Sequence, residues 1–345
     1  MIPTSRLKQI LSGFSKKKIA AVGDFIADEY IYGNTSRVSR EAPVLILKFD
    51  QRDVFPGGCG NACFNLHALG SRAIPFGVIG KDTPGKRLLK LLESNEINTD
   101  GMIEDLSRMT TRKARILAGS HHTTKQQVIR IDYETEKDIN PGVEKKLIRS
   151  LEMIIPNIDA LLVSDYGLGT ITDGVREFIN SAAAKKKIIV TVDSRFSLHK
   201  FTNVTALTPN ESEASEASGT EIGDDTKSLL ESGAKLMEKT DADSLLITRG
   251  RKGMSLFKKD GSVFDIPVYG TDEIADVTGA GDTVISTFTL ALACNASFEE
   301  AMLLADLAGG IVVMKRGTAT VSADELIEAV DDTDRRPVIR CLKKK

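Results

Sequence analysis

The segment Asp276-Val277-Thr278-Gly279-Ala280-Gly281-Asp282-Thr283 sets two glycines and a carboxylate just ahead of an apolar run. Glycines at a helix start let the backbone approach a ligand closely. The unpaired N–H groups and the positive helix end then attract an anion. Asp282 falls in the first turn beside that hole. There it could take the proton from a hydroxyl that attacks a phosphoryl group. A first-turn carboxylate also suits a helix for its own sake, so the segment alone leaves both readings open.

A second candidate is Asp24, which follows the apolar run Ile19-Ala20-Ala21-Val22-Gly23. A carboxylate at the C-terminal end of a parallel strand lies where such sheets bind ligands. It could equally shape a turn. Two further patterns fail on mechanism. Gly80-Lys81-Asp82-Thr83-Pro84-Gly85-Lys86 fits a phosphate-loop spacing, but Arg87 stands where a magnesium-binding hydroxyl is needed. The run ending at Asp165 resembles a Walker-B strand only in that loop's company. Cys59, Cys63, Cys294 and Cys341 form no C-x-x-C pair, so they read as reduced thiols rather than zinc ligands or a disulfide framework.

These residues need a scaffold. Short apolar runs at 19–22, 74–79, 160–163, 188–192, 204–207 and 245–247 read as buried strands. Helices are expected at 60–69, 84–95, 172–185, 210–218, 225–239, 280–294 and 298–314, and further strands at 254–257 and 263–266. Strands alternating with helices imply a mainly parallel sheet covered on both faces. Residues 30–33 and 44–49 read as short extended pieces. Residues 113–117 and 126–131 read as two strands around the polar segment 119–125, a hairpin. Together these pieces are expected to form a small β lid on one large α/β domain.

At this point the sequence resembles the ribokinase-like (pfkB-type) carbohydrate kinases. Gly279-Ala280-Gly281-Asp282 resembles their signature. Gly23-Asp24, Pro56-Gly57-Gly58-Cys59-Gly60-Asn61-Ala62, Asn210 and Glu213 within Thr208-Pro209-Asn210-Glu211-Ser212-Glu213, and Thr248-Arg249-Gly250 follow in the family's order. The resemblance covers residues 17–331. It implies a three-layer ribokinase-like sandwich with inserted lid segments near 29–49 and 110–133, leaving 1–16 and 332–345 as terminal extensions. Within the family the chain looks most like the heptose-7-phosphate kinase branch. The carriers are Thr35-Ser36-Arg37-Val38-Ser39-Arg40-Glu41-Ala42-Pro43-Val44, Gln126-Gln127-Val128-Ile129-Arg130-Ile131-Asp132 and Lys315-Arg316-Gly317-Thr318-Ala319-Thr320-Val321-Ser322. That kinase is often fused to a nucleotidyltransferase marked by H-x-G-H. His67, His121, His122 and His199 do not fit that mark, so a kinase without that partner is expected.

The resemblance implies roles. Asp282 is the general base, and the N–H groups of Gly279, Ala280 and Gly281 form the anion hole. Asp24, Gly57, Gly58 and Asn61 line the sugar site. Asn210 and Glu213 act near Mg²⁺ and the ATP phosphates, Glu213 through water, and Thr248 and Gly250 contact ATP. Asp276 belongs to a loop whose backbone oxygens hold a monovalent cation such as K⁺. A sugar phosphate also needs a second anion site, for which Lys113, Arg115, Arg130 and Arg195 are candidates; each could equally be a solvated surface charge. Three positions depart from the branch: Leu168 replaces a lysine, Arg195 stands where lysine often follows Asp-Pro, and Asp306 replaces an adenine-side asparagine.

The expected reaction is phosphorylation of the anomeric hydroxyl of D-glycero-D-manno-heptose 7-phosphate by ATP. The alternatives are a related kinase of ribose, fructose or a nucleoside, and a sugar- or nucleotide-binding sensor without catalysis. The chain has 345 residues, 46 Lys+Arg against 48 Asp+Glu, and net charge −2. Such a balance gives no support for charge-driven nucleic-acid binding. The N-terminus has no apolar signal-like core, and no run is long enough to span a membrane, so a cytoplasmic protein is expected. The resemblance also implies lid sheets that pair, so a homodimer is the expected assembly.

Overall fold

In the computed structural model, residues 2–119, 125–270, 276–315, 317 and 319–344 are described. In chain order the elements begin with α1 (Thr4–Leu11), β1 (Lys18–Gly23), β2 (Phe25–Val38), β3 (Leu45–Gly58), α2 (Cys59–Ala68), β4 (Arg72–Gly80) and α3 (Thr83–Ser94). Next come β5 (Met102–Asp105), β6 (Arg112–Gly119), β7 (Gln126–Tyr133), α4 (Pro141–Ile154), β8 (Ala160–Asp165), α5 (Asp173–Ala184), β9 (Ile189–Ser194) and β10 (Ala206–Leu207). The last third holds α6 (Glu211–Ser218), α7 (Thr226–Thr240), β11 (Ser244–Thr248), β12 (Met254–Lys258), β13 (Val263–Ile266), α8 (Ala280–Ala293), α9 (Phe298–Val313), α10 (Ala323–Asp331) and β14 (Arg340–Lys343).

Among the described residues, the main sheet has ten strands in the order β14-β13-β12-β11-β10-β9-β8-β1-β4-β5. It is parallel from β5 to β11 and antiparallel from β11 to β14. Side chains of a strand alternate between faces, and the apolar runs use both. Ile19, Ala21 and Leu162 join a core with α2, α8 and α9. Ala20, Val22, Leu161 and Val163 join a core with α4, α5 and α7. The result is the expected three-layer α/β sandwich.

The lid is a separate four-stranded sheet, β3-β2-β6-β7. Here the short extended pieces were under-read. β2 and β3 pair from Phe25↔Gly58 to Val38↔Leu45, with register shifts after Tyr32 and between Thr35 and Arg37. Their charged residues, which look like loop, are matched by cations from elsewhere. Asp28 pairs with Arg115. Buried Glu29 meets Arg112 at 3.1 Å, Arg52 at 3.3 Å and Arg87 at 3.7 Å. The expected hairpin 110–133 is present as antiparallel β6–β7. Its tip at 120–124 lies outside the described residues.

The segments expected as terminal extensions fold back onto the sandwich. Leu7, Ile10, Leu11 and Phe14 enter the core, and Arg336 donates to Thr4 Oγ1 and the Ile2 carbonyl. The phosphate-loop look-alike is a helix start: Asp82 Oδ1 accepts from Gly85 N at 2.9 Å and caps α3.

Candidate active site

Four chain segments meet at the C-terminal ends of β1, β8 and β9. α8 opens there because Gly279 takes a left-handed φ of 79°, a conformation glycine adopts without a Cβ penalty. Asp282 follows in the first turn and is buried. Its Oδ2 accepts from Asn61 Nδ2 at 2.8 Å, and its Oδ1 from the Tyr166 hydroxyl at 3.2 Å. Asn61 in turn accepts from Asn65 Nδ2, and Asn65 Oδ1 accepts from Thr283 Oγ1 at 2.8 Å. This chain ties α2 to α8. Burial pushes the Asp282 carboxyl up to about 7, against the two hydrogen bonds that favour its charge. A carboxyl titrating near neutrality is suited to proton transfer at physiological pH.

The anion hole differs in detail from expectation. The Ala280 N–H turns back to the Val277 carbonyl at 3.3 Å. Gly281 and Asp282 are then the first-turn residues whose N–H groups lack a carbonyl one turn earlier.

Asp24 also holds backbone. It is buried, and its carboxylate accepts from the backbone N–H groups of Tyr166, Leu168 and Thr170 at 3.0–3.1 Å. It thereby fixes the loop that carries Tyr166 beside Asp282. Gly57 lies against Asp28: a Cβ there would come within 2.2 Å of Asp28 Oδ2. Gly58, at φ 58°, leads into α2, and its neighbour Cys59 donates to the Asp24 carbonyl.

A second carboxylate group stands beside α8. Asp193 is the next-to-last residue of β9, and its Oδ2 is 4.0 Å from where a Cβ on Gly281 would sit. Burial raises the Asp193 carboxyl well above its usual range, and the charges of Glu213, Asp282 and Asp165 push the same way. Asn210 and Glu213 form a capping box at the start of α6: Asn210 Oδ1 accepts from Glu213 N, and Glu213 Oε2 from Asn210 N, both at 2.9 Å. The box engages one of the two Glu213 carboxylate oxygens. Burial also raises Glu213, while Arg195 favours its charge. Two facing carboxylates raised in this way suit a divalent cation held by oxygen ligands and water.

The candidate phosphate-binding cations separate. Lys113 Nζ, on β6 of the lid, lies 6.0 Å from the centroid of the Tyr166 ring. Arg115 pairs with Asp28, lies 5.2 Å from the Tyr30 ring, and favours the charge of Asp276. Arg130 stays on exposed β7, 2.9 Å from its own neighbour Asp132. Arg195 lies away from the lid cations, exposed over Phe196 and acting on Glu213. Asp276 braces its loop, accepting from Thr278 N at 2.9 Å and Gly317 N at 3.1 Å. Residues 271–275 lie outside the described residues.

Beyond Gly281 opens a cavity of about 470 Å³ lined by Thr248, Gly250, Met254, Val284, Gly309 and Asp306, among others. It is walled by α8, α9 and the β11–β12 turn. Thr248 is fixed by its N–H to the Pro209 carbonyl, and Gly250 takes φ 54°. The sequence reading missed Tyr166, Asp28 and Asp193 as site residues. For Asp193 the signal was present, since like Asp24 it stands at the C-terminal end of an apolar parallel-strand run. Tyr166 and Asp28 reach the site only through tertiary contacts.

A parallel sheet between helix layers, a β lid, and a buried carboxylate at a glycine-led helix start beside a cavity define a ribokinase-like fold. Residues 16–325 match the pfkB family of carbohydrate kinases; the chain belongs to that family, and it is a sugar kinase. It is 41% identical over 307 residues to the bifunctional protein HldE of Geobacter metallireducens, covering 89% of this chain and 61% of the relative. It is 40% identical to the HldE of Geobacter sulfurreducens over the same extents. The chain thus spans about three-fifths of the length of these relatives. Escherichia coli phosphofructokinase-2 in complex with potassium superposes with a TM-score of 0.73 at 19% identity, covering 92% of this chain and 100% of that one. Arabidopsis thaliana ribokinase complexed with ribose and ATP superposes with a TM-score of 0.70 at 17% identity, covering 92% and 99%. Among the described residues, no helix is long and apolar enough to cross a membrane.

Proposed function

We propose that this chain transfers the γ-phosphoryl group of ATP to the anomeric hydroxyl of D-glycero-D-manno-heptose 7-phosphate. The observation that carries the phosphoryl-transfer chemistry is Asp282: a buried carboxyl titrating near 7, aimed by Asn61 and Tyr166, in the first turn of α8. Asp282 takes the proton from the attacking hydroxyl. The Gly281 and Asp282 N–H groups face the charge that develops on the phosphoryl oxygens. Asp193 and Glu213 would hold Mg²⁺, partly through water, and the ion supplies charge neutralisation on the phosphates. The cavity beyond Gly281 takes the nucleotide base. Arg195, next to Glu213, belongs to the phosphate side rather than to a sugar-phosphate site.

The heptose phosphate reading draws on the lid motifs at 35–44 and 126–132, on the HldE relatives, and on Lys113 and Arg115 over the acceptor position. Those two cations would meet the distal phosphate. A monovalent cation at the Asp276 loop is supported by likeness to the potassium-bound neighbour. The lid leaves Phe49, Val128 and Ile129 exposed, which supports pairing with a second lid in a homodimer; sedimentation of the protein as a monomer at working concentration would end that part of the reading.

The direct test is ADP release with Mg²⁺-ATP across heptose 7-phosphate, ribose, fructose, fructose 6-phosphate and adenosine. Turnover confined to the heptose phosphate is expected. Turnover of an unphosphorylated sugar instead would discard the distal phosphate site while keeping the base.

A further inference from the structure

Asp282 is gripped by two partners of different chemical kind. Asn61 Nδ2 meets Oδ2 at 2.8 Å, and the Tyr166 hydroxyl meets Oδ1 at 3.2 Å. An amide NH₂ only donates, whereas a phenol hydroxyl both donates and accepts. The way round of the Asn61 amide is fixed by backbone. Asn65 Nδ2 donates to the Asn61 backbone carbonyl at 3.0 Å, so it is an NH₂ that faces Asn61 Oδ1 at 3.3 Å. Asn61 Nδ2 also lies 3.4 Å from the Gly279 carbonyl, which only accepts. Asn61 therefore offers Asp282 a donor and nothing else.

Tyr166 is placed just as firmly. The Asp24 carboxylate holds its backbone N–H together with those of Leu168 and Thr170. Other charged or titratable groups act on the pair from each packed element. Asp28 of β2 and Asp193 of β9 bear on the phenol, Cys59 of α2 feels Asp282, and Lys113 of β6 lies 6.0 Å from the centre of the Tyr166 ring. Among the described residues, none of these four hydrogen-bonds the Asp282 carboxyl. The proton removed from the acceptor hydroxyl must settle on one of its two oxygens. On Oδ2 it would leave the shorter bond, from a group that can only donate, against an oxygen without charge. On Oδ1 it would face a hydroxyl able to turn and accept it.

We propose that Oδ1 is the atom of Asp282 that takes the proton, and that Tyr166 is the positioning residue that selects it by reversing its hydroxyl from donor to acceptor. This rests on the reading of Asp282 as the base. In the step the acceptor's O–H bond breaks, and an oxygen electron pair forms the new bond to the γ-phosphorus. The bond from that phosphorus to the bridging oxygen breaks, and its pair leaves on ADP. The proton stays on Oδ1 until product departs and then passes to water. Tyr166 stabilises the carboxylate before transfer and the acid after it, while Asn61 holds Oδ2 throughout.

The experiment is steady-state kinetics of the full chain from about pH 5.5 to 9. It uses Mg²⁺-ATP and the acceptor of the panel above that is turned over, heptose 7-phosphate by expectation. Wild type is compared with Tyr166→Phe and with 3-fluorotyrosine in place of Tyr166. Burial, with the charge of Asp28, lifts Asp282 to about 7, so the acid limb of kcat falls inside this range. Tyr166→Phe has no hydroxyl for either state. Its kcat should fall about 10–100-fold across the whole range, with KM for ATP unchanged. The fluorinated phenol is a stronger donor and a weaker acceptor. Both changes favour the carboxylate, so the acid limb should move to lower pH while the plateau falls about threefold. A side chain that only fills space would move neither. Wild-type kinetics in either protein overturn the proposal. A Tyr166→Phe loss recovered at high pH, or a fluorinated plateau that does not fall, makes Tyr166 a donor only and also overturns it. If Tyr166→Phe does not fold, the fluorinated protein, changed by one atom, decides. Asp282→Asn separates the two layers. Normal turnover by that variant, or no turnover of any panel acceptor by wild type, overturns the base reading and the proposal with it. An inactive Asp282→Asn beside Tyr166 proteins that behave as wild type overturns the proposal alone.

Discussion

Replacing Asp282 with Asn tests catalysis and folding at once. A proton acceptor is removed, so kcat should fall by about 10²–10⁴ with ATP binding nearly unchanged. The effect on stability has the opposite sign. The carboxyl moves from 3.8 to about 7 on folding, so the folded state binds the extra proton between those values. Stability is then fully present below pH 3.8 and is lost as pH rises towards 7. The shift is about three units, so ionised Asp282 costs the native state about 4 kcal/mol above pH 7. Asn carries no charge to bury, but it can accept from only one of Asn61 and Tyr166 without presenting its own N–H to the other. Losing a charge-assisted hydrogen bond offsets roughly 1.5–3 kcal/mol. The net gain at pH 8 should be about 1–2 kcal/mol. Urea unfolding of both proteins at pH 5, 6, 7 and 8 measures it. The gap should grow with pH up to about 7 and then level off. A variant less stable than wild type at pH 8, or a gap that does not change with pH, would refute the burial argument. A variant with near-normal turnover would falsify the base assignment.

Further outcomes follow from the same geometry. Glu213→Gln keeps an oxygen for the capping box but loses the charge, so the Mg²⁺ requirement should rise about tenfold with little change in urea midpoint; equal Mg²⁺ dependence would remove Glu213 from the cation's surroundings. Lys113→Ala should raise KM for a phosphorylated sugar by about tenfold and leave KM for ATP alone, and steady-state kinetics with each substrate varied would show whether it does. Gly23→Ala would place a Cβ 1.9 Å from the Ser164 carbonyl oxygen, between β1 and β8. It should destabilise by more than 3 kcal/mol or prevent soluble expression, and a variant of normal melting temperature would contradict the strand spacing described.

What was legible in the sequence was whatever chain-local chemistry determines. The central strands are apolar runs with both faces buried, so Ile19–Val22 and Ala160–Val163 stand out without partners. The α8 start is marked by glycines followed by Asp282. The lid was harder. Asp28 and Glu29 look like loop residues until Arg115, Arg112, Arg52 and Arg87 arrive from β6, β3 and α3. Asp24 shows why position alone does not define a role: the end of a parallel strand is the right place for a ligand, and here the carboxylate also holds the 166–170 backbone. The start of α10 is marked locally, because Ser322 and Glu325 form its capping box. Asp306 was noticed as a departure, but that its buried Oδ2 has no partner among the described residues is a fact of packing that no spacing contains.

The continuity of β2 has a mechanical consequence. The strand leaves the catalytic layer one residue after Asp24 and runs unbroken to Val38 at the lid's rim. At about 3.3 Å per residue its length is on the order of 45 Å, whereas Asp28 lies only about 13 Å from the root. It acts as a lever with a short inner arm. A tilt of about 5° at the root would carry the rim roughly 4 Å and Asp28 only about 1 Å. Burial raises Asp282 most, and the charge of Asp28 adds to it, so a large swing of the lid would become a fine adjustment of the electric field at the base. Covering the acceptor and trimming the base's proton affinity would then be one movement of one strand.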